Sequence, residues 1–366
     1  MALMTPIVAI DKLNHINVAV RDLRAVARNY AEILGVDRWD VVHHAGERLT
    51  DCSAFGCEAD LQYSTATGSN AQGVTFRLIQ PTHGFSTFTE FLAARGQGIH
   101  GLCGTVLDQR AFESLRDRFR ELGVRVIQSA TVDAAVTHHY FDTRQLLGGY
   151  FVEVIVPARD GWRSAIEVDE RWDFSADVDR PADVEAAQRI PKIGHFGVAV
   201  PDMMRAVEAH AKVFGIEQWG GVHFRTAPDS LEFSTLNGAP VSHAWLLASG
   251  ACADFGFEVL QSTESPTHYK EEFIDKLGGP GIHHLLLLPG LPEAQWLPLR
   301  AWLESMDIVN VMSGRVAGGA AEFFYMDARD KLGFLVEAIV SRAAPGSPPP
   351  APRPGRFTFD FSKPAP

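Results

Sequence analysis

The chain has 366 residues, 46% of them hydrophobic and 21% charged, which is the balance of a soluble globular protein long enough for about two to three domains. A formal net charge of -12, with no Lys/Arg cluster, argues against nucleic acid or anionic membrane as partners, because both reward concentrated positive charge. Apolar runs such as LLLLPGLP are too short to span a bilayer, and the start MALMTPIVAIDK lacks the basic residues and apolar core of a signal peptide, so a cytoplasmic address is expected.

In chain order, a strand is predicted over 14–20 and a helix over 22–34, with Asp22 as N-cap and Gly35 as its stop. The helical stripe is Leu23, Val26, Ala27, Tyr30, Ile33 and Leu34. Alternating strand-like runs follow over 48–80. A second unit opens with a strand at 100–107 and a helix at 110–122, ended by Gly123, and residues 1–157 form the first expected domain. Residues 158–191 lose the alternation and turn acidic; they read as a linker, with Trp162, Trp172 and Phe174 packing it onto the surface. The third unit has a strand at 194–200, a helix at 202–214 with Gly215, and strands over 222–262. The fourth has a strand at 283–288 and a helix near 292–306, which completes a second domain over 192–341. Residues 342–366 are Pro-rich and are expected to form neither ladder nor helix; the alternative is that Phe357, Phe359 and Phe361 clip onto a groove.

An internal repeat organises these units. HINVAVRDLRAVARNYAEILGVDRW from His15 matches HFGVAVPDMMRAVEAHAKVFGIEQW from His195, sharing His, Val-Ala-Val, Asp, Gly and Trp at an offset of 180. Gly98-Ile99-His100 then answers Gly281-Ile282-His283, Tyr140-x-Asp142 answers Tyr325-x-Asp327, and Val152-Glu153 answers Val336-Glu337. The chain is thus four units of strand, helix and about three strands, arranged as two duplicate halves. Its four cysteines (Cys52, Cys57, Cys103, Cys252) form no Cys-x-x-Cys pair and read as reduced thiols.

Within the second half, His195, Glu258, His284 and Glu337 each sit on a short apolar run: IGHFGVAV, FGFEVLQ, GIHHLLLL and LGFLVEAIV. Strand alternation lets each run bury its bulky residues on one face and send the polar one to the other. His195 shares a face with Gly197 and Ala199, and Glu258 with Gly256 and Leu260. Two imidazoles and two carboxylates would form an N2O2 site for one divalent metal ion, with Ni, Co, Mn, Zn and Fe all compatible.

At the opening His, the GIHH stretch and the Tyr-x-Asp stretch, the chain resembles the vicinal oxygen chelate superfamily of glyoxalases, methylmalonyl-CoA epimerases and extradiol dioxygenases. The resemblance implies an α+β fold of four βαβββ modules forming two curled mixed-sheet cups. It implies His195, Glu258, His284 and Glu337 as metal ligands; the third module is expected to pair with the fourth, because pairing first with fourth and second with third would leave both ligand sets incomplete. The matching positions of the first half are His15, Arg77, Gly101 and Glu153, and this set is broken, because a guanidinium has no lone pair for a metal. The first half is expected to be a degenerate copy in which Arg77 neutralises Glu153.

Three functions compete. The first is a metal-dependent isomerase, epimerase or lyase acting through an enolate on a small apolar or aromatic carbonyl compound, with Glu258 and Glu337 as catalytic carboxylates. The second is an extradiol-type ring-cleaving dioxygenase using Fe(II) and the three ligands His195, His284 and Glu337, which the four-module length favours and Glu258 opposes. The third is a non-catalytic cup for an apolar ligand. His243, Tyr269 and Tyr325 are candidate substrate-binding residues, and His268 is a candidate beside the metal. The expected partner is a small molecule, and association into a homodimer is left open.

Overall fold

The computed structural model describes residues 6–8, 13–182, 184, 193–228, 230–342 and 355–362. Local sequence sets its frame twice. The Asp22 carboxylate accepts from the Ala25 N–H to open the helix Leu23–Leu34, and Gly35 closes it at φ 68°. Asp202 and Gly215 do the same for Met203–Phe214, with φ 71° at the glycine. Only glycine takes that left-handed conformation without strain.

Among the described residues, the first sheet is built from β1 (His15–Ala19), β2 (Arg38–His44), β3 (Leu49–Ala54), β4 (Cys57–Glu58), β5 (Gln62–Ser69), β6 (Thr75–His83), β7 (Gly98–Val106), β8 (Val126–Val132), β9 (Val136–Phe141), β10 (Phe151–Pro157) and β11 (Glu170–Asp173). The second comprises β12 (His195–Ala199), β13 (Gln218–Arg225), β14 (Glu232–Leu236), β15 (Ala239–Pro240), β16 (Ala244–Ala251), β17 (Gly256–Glu264), β18 (Gly281–Pro292), β19 (Asn310–Val316), β20 (Ala321–Asp327), β21 (Leu335–Ser341) and β22 (Arg356–Asp360). Their orders are β11-β2-β5-β6-β1-β7-β10-β9-β8-β3-β4 and β15-β14-β19-β20-β21-β18-β12-β17-β16-β13-β22. In each, the opening strands of two successive modules meet antiparallel at the centre, β1 on β7 and β12 on β18, which joins two modules into one curled sheet. This is the four-module α+β architecture expected from the sequence.

One apolar core runs through both halves and takes in Val18, Leu78 and Val152 with Val198, Val259 and Val336. Tyr30 donates its hydroxyl hydrogen to the Leu332 carbonyl at 2.7 Å, and the Tyr150 hydroxyl lies 2.9 Å from Nε2 of His210. With the helix-bearing faces buried against each other, the opposite face of each sheet is left to form a cup.

Two segments differ from expectation in the same way. Within the expected linker, β11 pairs with β2, placing Trp172 opposite Trp39. Within the Pro-rich tail, β22 pairs with β13, placing Phe359 opposite Trp219. The expectation that the tail forms no ladder is therefore corrected: Arg356–Asp360 contains no proline and alternates aromatic with polar residues, a strand pattern. The remaining tail residues, 343–354 and 363–366, and linker residues 183 and 185–191, lie outside the described residues. None of the four cysteines is in a disulfide. Among the described residues, no helix is long and apolar enough to cross a membrane.

Candidate metal centre

The four central strands of the second sheet, β21, β18, β12 and β17, lie side by side, and each contributes one sequence-predicted residue. Phe196, Val198, Phe257 and Val259 fill the core behind them, so alternation turns His195 and Glu258 into the cup. Gly197 pairs in register with both Glu258 and His284. A β-carbon at Gly197 would overlap the His284 imidazole, so the glycine is the space in which that ring sits.

One donor atom from each of His195, Glu258, His284 and Glu337 lies within 4.8 Å of every other. Nε2 of His195 is 2.8 Å from Oε2 of Glu337 and 3.2 Å from Nε2 of His284, which is itself 3.2 Å from that carboxylate oxygen. Glu258 stands slightly off, with Oε2 at 3.5 Å from His195 and 3.8 Å from His284. Donors bound at about 2.1 Å to one ion are roughly 3 Å apart when adjacent, so this spacing fits a divalent metal. Four lone pairs aimed at one point also need a cation or protons between them.

The carboxylates already act on the imidazoles. Burial works against charge on His195, but Glu258 and Glu337 outweigh it and lift its pKa to about 9. Burial, with the charge of Glu337 behind it, pushes Glu258 up to about 7 against the pull of His195. At Glu337 burial is overcome by the two imidazoles, which hold the carboxyl down at about 2. Two similar carboxylates are thereby driven apart in opposite directions.

A cavity of about 470 Å³ opens onto Glu258 and Glu337, walled by Phe224, Trp245, Tyr269, Phe323, Tyr325 and Phe357. Tyr269 and Tyr325 thus stand where a bound molecule would touch them, their hydroxyls 2.9 Å apart, and the Tyr325 ring lies 4.6 Å from that of His284. His243 is not among the residues lining this cavity; its ring lies between the Ser234 hydroxyl and the Pro266 carbonyl.

A family model described as the Glyoxalase/Bleomycin resistance protein/Dioxygenase superfamily matches residues 14–141. Over those residues the chain matches the family model that covers the glyoxalases and dioxygenases of the vicinal oxygen chelate superfamily. A triple mutant of 4-hydroxymandelate synthase from Streptomyces coelicolor is similar in fold, with a TM-score of 0.57 at 12% identity over 93% of this chain and 95% of that one. Also similar are 2,2',3-trihydroxybiphenyl 1,2-dioxygenase from Sphingomonas wittichii strain RW1 (TM-score 0.42, 14% identity, 91% of each chain) and the Mn(II)-bound glyoxalase from Novosphingobium aromaticivorans (0.41, 15%, 91% of this chain and 82% of that one). No curated protein matches the sequence.

The family match falls on the half whose ligand set is broken. There, Arg77 faces Asn17 across the ladder as Glu258 faces Gly197. The Arg77 guanidinium donates to Oε1 of Glu153 at 3.1 Å, Nε2 of His15 is 2.8 Å from Oε2, and Asn17 donates to that same oxygen at 2.6 Å. His138 closes the ring at 2.5 Å from Oε1. Burial opposes the charge of Glu153, but His15, His138 and Arg77 hold its pKa well below the usual carboxylate range. Cys103 also reaches this cluster beside His15 and Glu153. Sequence reasoning missed Asn17, Cys103 and His138; only Asn17 left a signal, as the residue 180 positions before Gly197.

Proposed function

We propose that the chain is a divalent-metal-dependent isomerase, epimerase or lyase that moves a proton beside the carbonyl of a small apolar or aromatic substrate. The observation that carries this reading is Glu258. It lines the cavity and is the most loosely placed of the four donors, so it is the carboxylate best able to leave the ion and exchange a proton with a bound molecule. His195, His284, Glu337 and Glu258 would hold the ion, which when bound polarises a carbonyl and makes the neighbouring C–H more acidic. Glu258 then accepts that proton on its carboxylate and returns it. Glu337, held ionised by both imidazoles, remains a ligand throughout. The aromatic wall excludes water and orients an apolar body, and the hydroxyl pair of Tyr269 and Tyr325 offers a hydrogen bond to a substrate oxygen.

A second reading rests on the tighter trio. His195, His284 and Glu337 lie 2.8 to 3.2 Å apart with Glu258 outside them, a two-histidine, one-carboxylate face that suits Fe(II) oxygen chemistry. One series separates the two. Elemental analysis is expected to find metal in the wild type and in His15→Ala but not in His284→Ala. Carbonyl compounds incubated anaerobically in deuterated water are then followed by NMR. Deuterium entry at the carbon beside the carbonyl, lost in Glu258→Gln, supports proton transfer; oxygen uptake from a catechol panel would overturn it in favour of the dioxygenase.

A further inference from the structure

His284 does not stand alone behind its metal-facing nitrogen. Its Nδ1 lies 3.0 Å from Nδ1 of His283, and Nε2 of His283 lies 2.8 Å from Nδ1 of His268. All three rings are buried, at most 1% exposed. Neighbouring strand residues ordinarily face opposite ways, but the ladder between β12 and β18 slips here: Gly197 pairs with His284 and Val198 with Ile282, which leaves His283 as the extra residue of a bulge. Bulges re-aim side chains in this manner. His268 opens a π-helical turn, His268–Asp275, whose Thr267 cap anchors it, whereas the matching segment of the first half, Thr87–Arg95, is α-helical. Such π turns concentrate at functional sites.

One proton arrangement makes this chain useful to a metal. If Nε2 of His284 offers its lone pair to the cluster, Nδ1 carries the hydrogen and donates to His283. That leaves His283 protonated on Nε2, from which it donates to Nδ1 of His268. The first half has the same frame without the ligand. Its bulge persists, with Asn17 opposite Gly101 and Val18 opposite Ile99, so His100 takes the place of His283. Gly101 replaces His284, and Thr87, the residue after the Ser86 cap, replaces His268 and bonds to Gln128. No side chain is hydrogen-bonded to either ring nitrogen of His100, and the ring is stacked 4.3 Å from Phe151. Both end histidines of the chain are absent in the half without the ligand, and its middle one has no imidazole on either side.

We propose that His283 and His268 are positioning residues that fix the tautomer and ring orientation of His284 so that Nε2 faces the metal. This rests on the reading of His195, Glu258, His284 and Glu337 as a metal site. Partners behind a ligating histidine are typically worth about 10–100-fold in metal affinity.

The test titrates the metal-free full-length protein with Co(II), reading the dissociation constant by chelator competition and the visible absorption bands of the bound ion. His268→Leu and His283→Leu are expected to weaken Co(II) binding by about 10-fold or more and to alter the bands. His268→Gln is expected to recover most of both, because an amide oxygen accepts the same hydrogen bond and a merely space-filling role would not distinguish the two variants. His100→Leu is expected to change neither. Wild-type affinity and bands in His268→Leu, with binding lost in His284→Ala, overturn the relay and leave the metal site standing. Wild-type binding in His284→Ala removes the metal site itself. Should His283→Leu fail to fold, His268→Leu, two bonds further from the metal, decides alone.

Discussion

The imidazole of His284 occupies the space that a side chain at Gly197 would fill. In the other half, Asn17 has a side chain at that position and Gly101 has none, so each half has one bulky and one minimal residue, exchanged across the same pair of strands. Gly197→Ala is therefore predicted to displace the His284 ring without removing any donor. Metal affinity should fall by about 10-fold or more in chelator competition, with the folded far-UV spectrum retained. Unchanged affinity would mean that the ring has another place to go.

Arg77 is 5% exposed, and its guanidinium supplies positive charge to the fully buried Glu153. Removing one partner of a buried pair costs about 3–5 kcal/mol, far more than the intact pair contributes. Arg77→Met should thus lower the unfolding free energy by that order, read as a lower urea midpoint, while metal stoichiometry stays the same. A second equivalent of metal would show instead that His15, Cys103 and Glu153 can coordinate once the cation is gone.

Metal uptake should strengthen with pH. His195, at about 9, and Glu258, at about 7, must both lose protons to become ligands. Below pH 7 uptake releases close to two protons from this site, between 7 and 9 close to one, and the count is readable by calorimetry in buffers of different ionisation heat. The metal-free protein should show the opposite slope. A folded pKa raised from 6.5 to about 9 contributes stability that is whole below 6.5 and lost as pH rises through 9. Denaturant midpoints at pH 6 and 9.5 with chelator present would reveal it.

Gly221 lies beneath Phe357, whose ring a β-carbon at that glycine would overlap. Gly221→Val is predicted to lift β22 from β13 at a cost of about 1–3 kcal/mol, as overpacking does elsewhere. Faster amide hydrogen exchange across Arg356–Asp360 is the readout, and unaltered exchange would show that the strand is held by its ladder alone.

Much of this was legible in the residues. The duplicate was visible from His15 and His195 onward, and each of the four donors sat on a run whose apolar partners could face only the core. The loss in the first half followed from Arg77, since no environment makes guanidinium a ligand. His283 was not legible, because period-two alternation turns the neighbour of His284 away, and the slip that brings it back belongs to a pair of strands. The strand at Arg356–Asp360 was obscured by its proline-rich surroundings, and its partner is remote in sequence. The partners of His243, a serine hydroxyl and a backbone carbonyl, were not legible, because no spacing rule ties that histidine to either.

The Arg77–Glu153 pair has a consequence for how the protein meets scarcity. The positive charge under the first cup is part of the polypeptide, so no chelator can withdraw it and no competing ion can replace it. On the proposed metal reading, the second cup exchanges the proton on His195 for a cation taken from the surroundings. If the proposed site holds a metal, a cell short of it would hold chains whose first half is finished and whose second half waits, and chelation should loosen β12, β17, β18 and β21 while leaving their counterparts as firm as before.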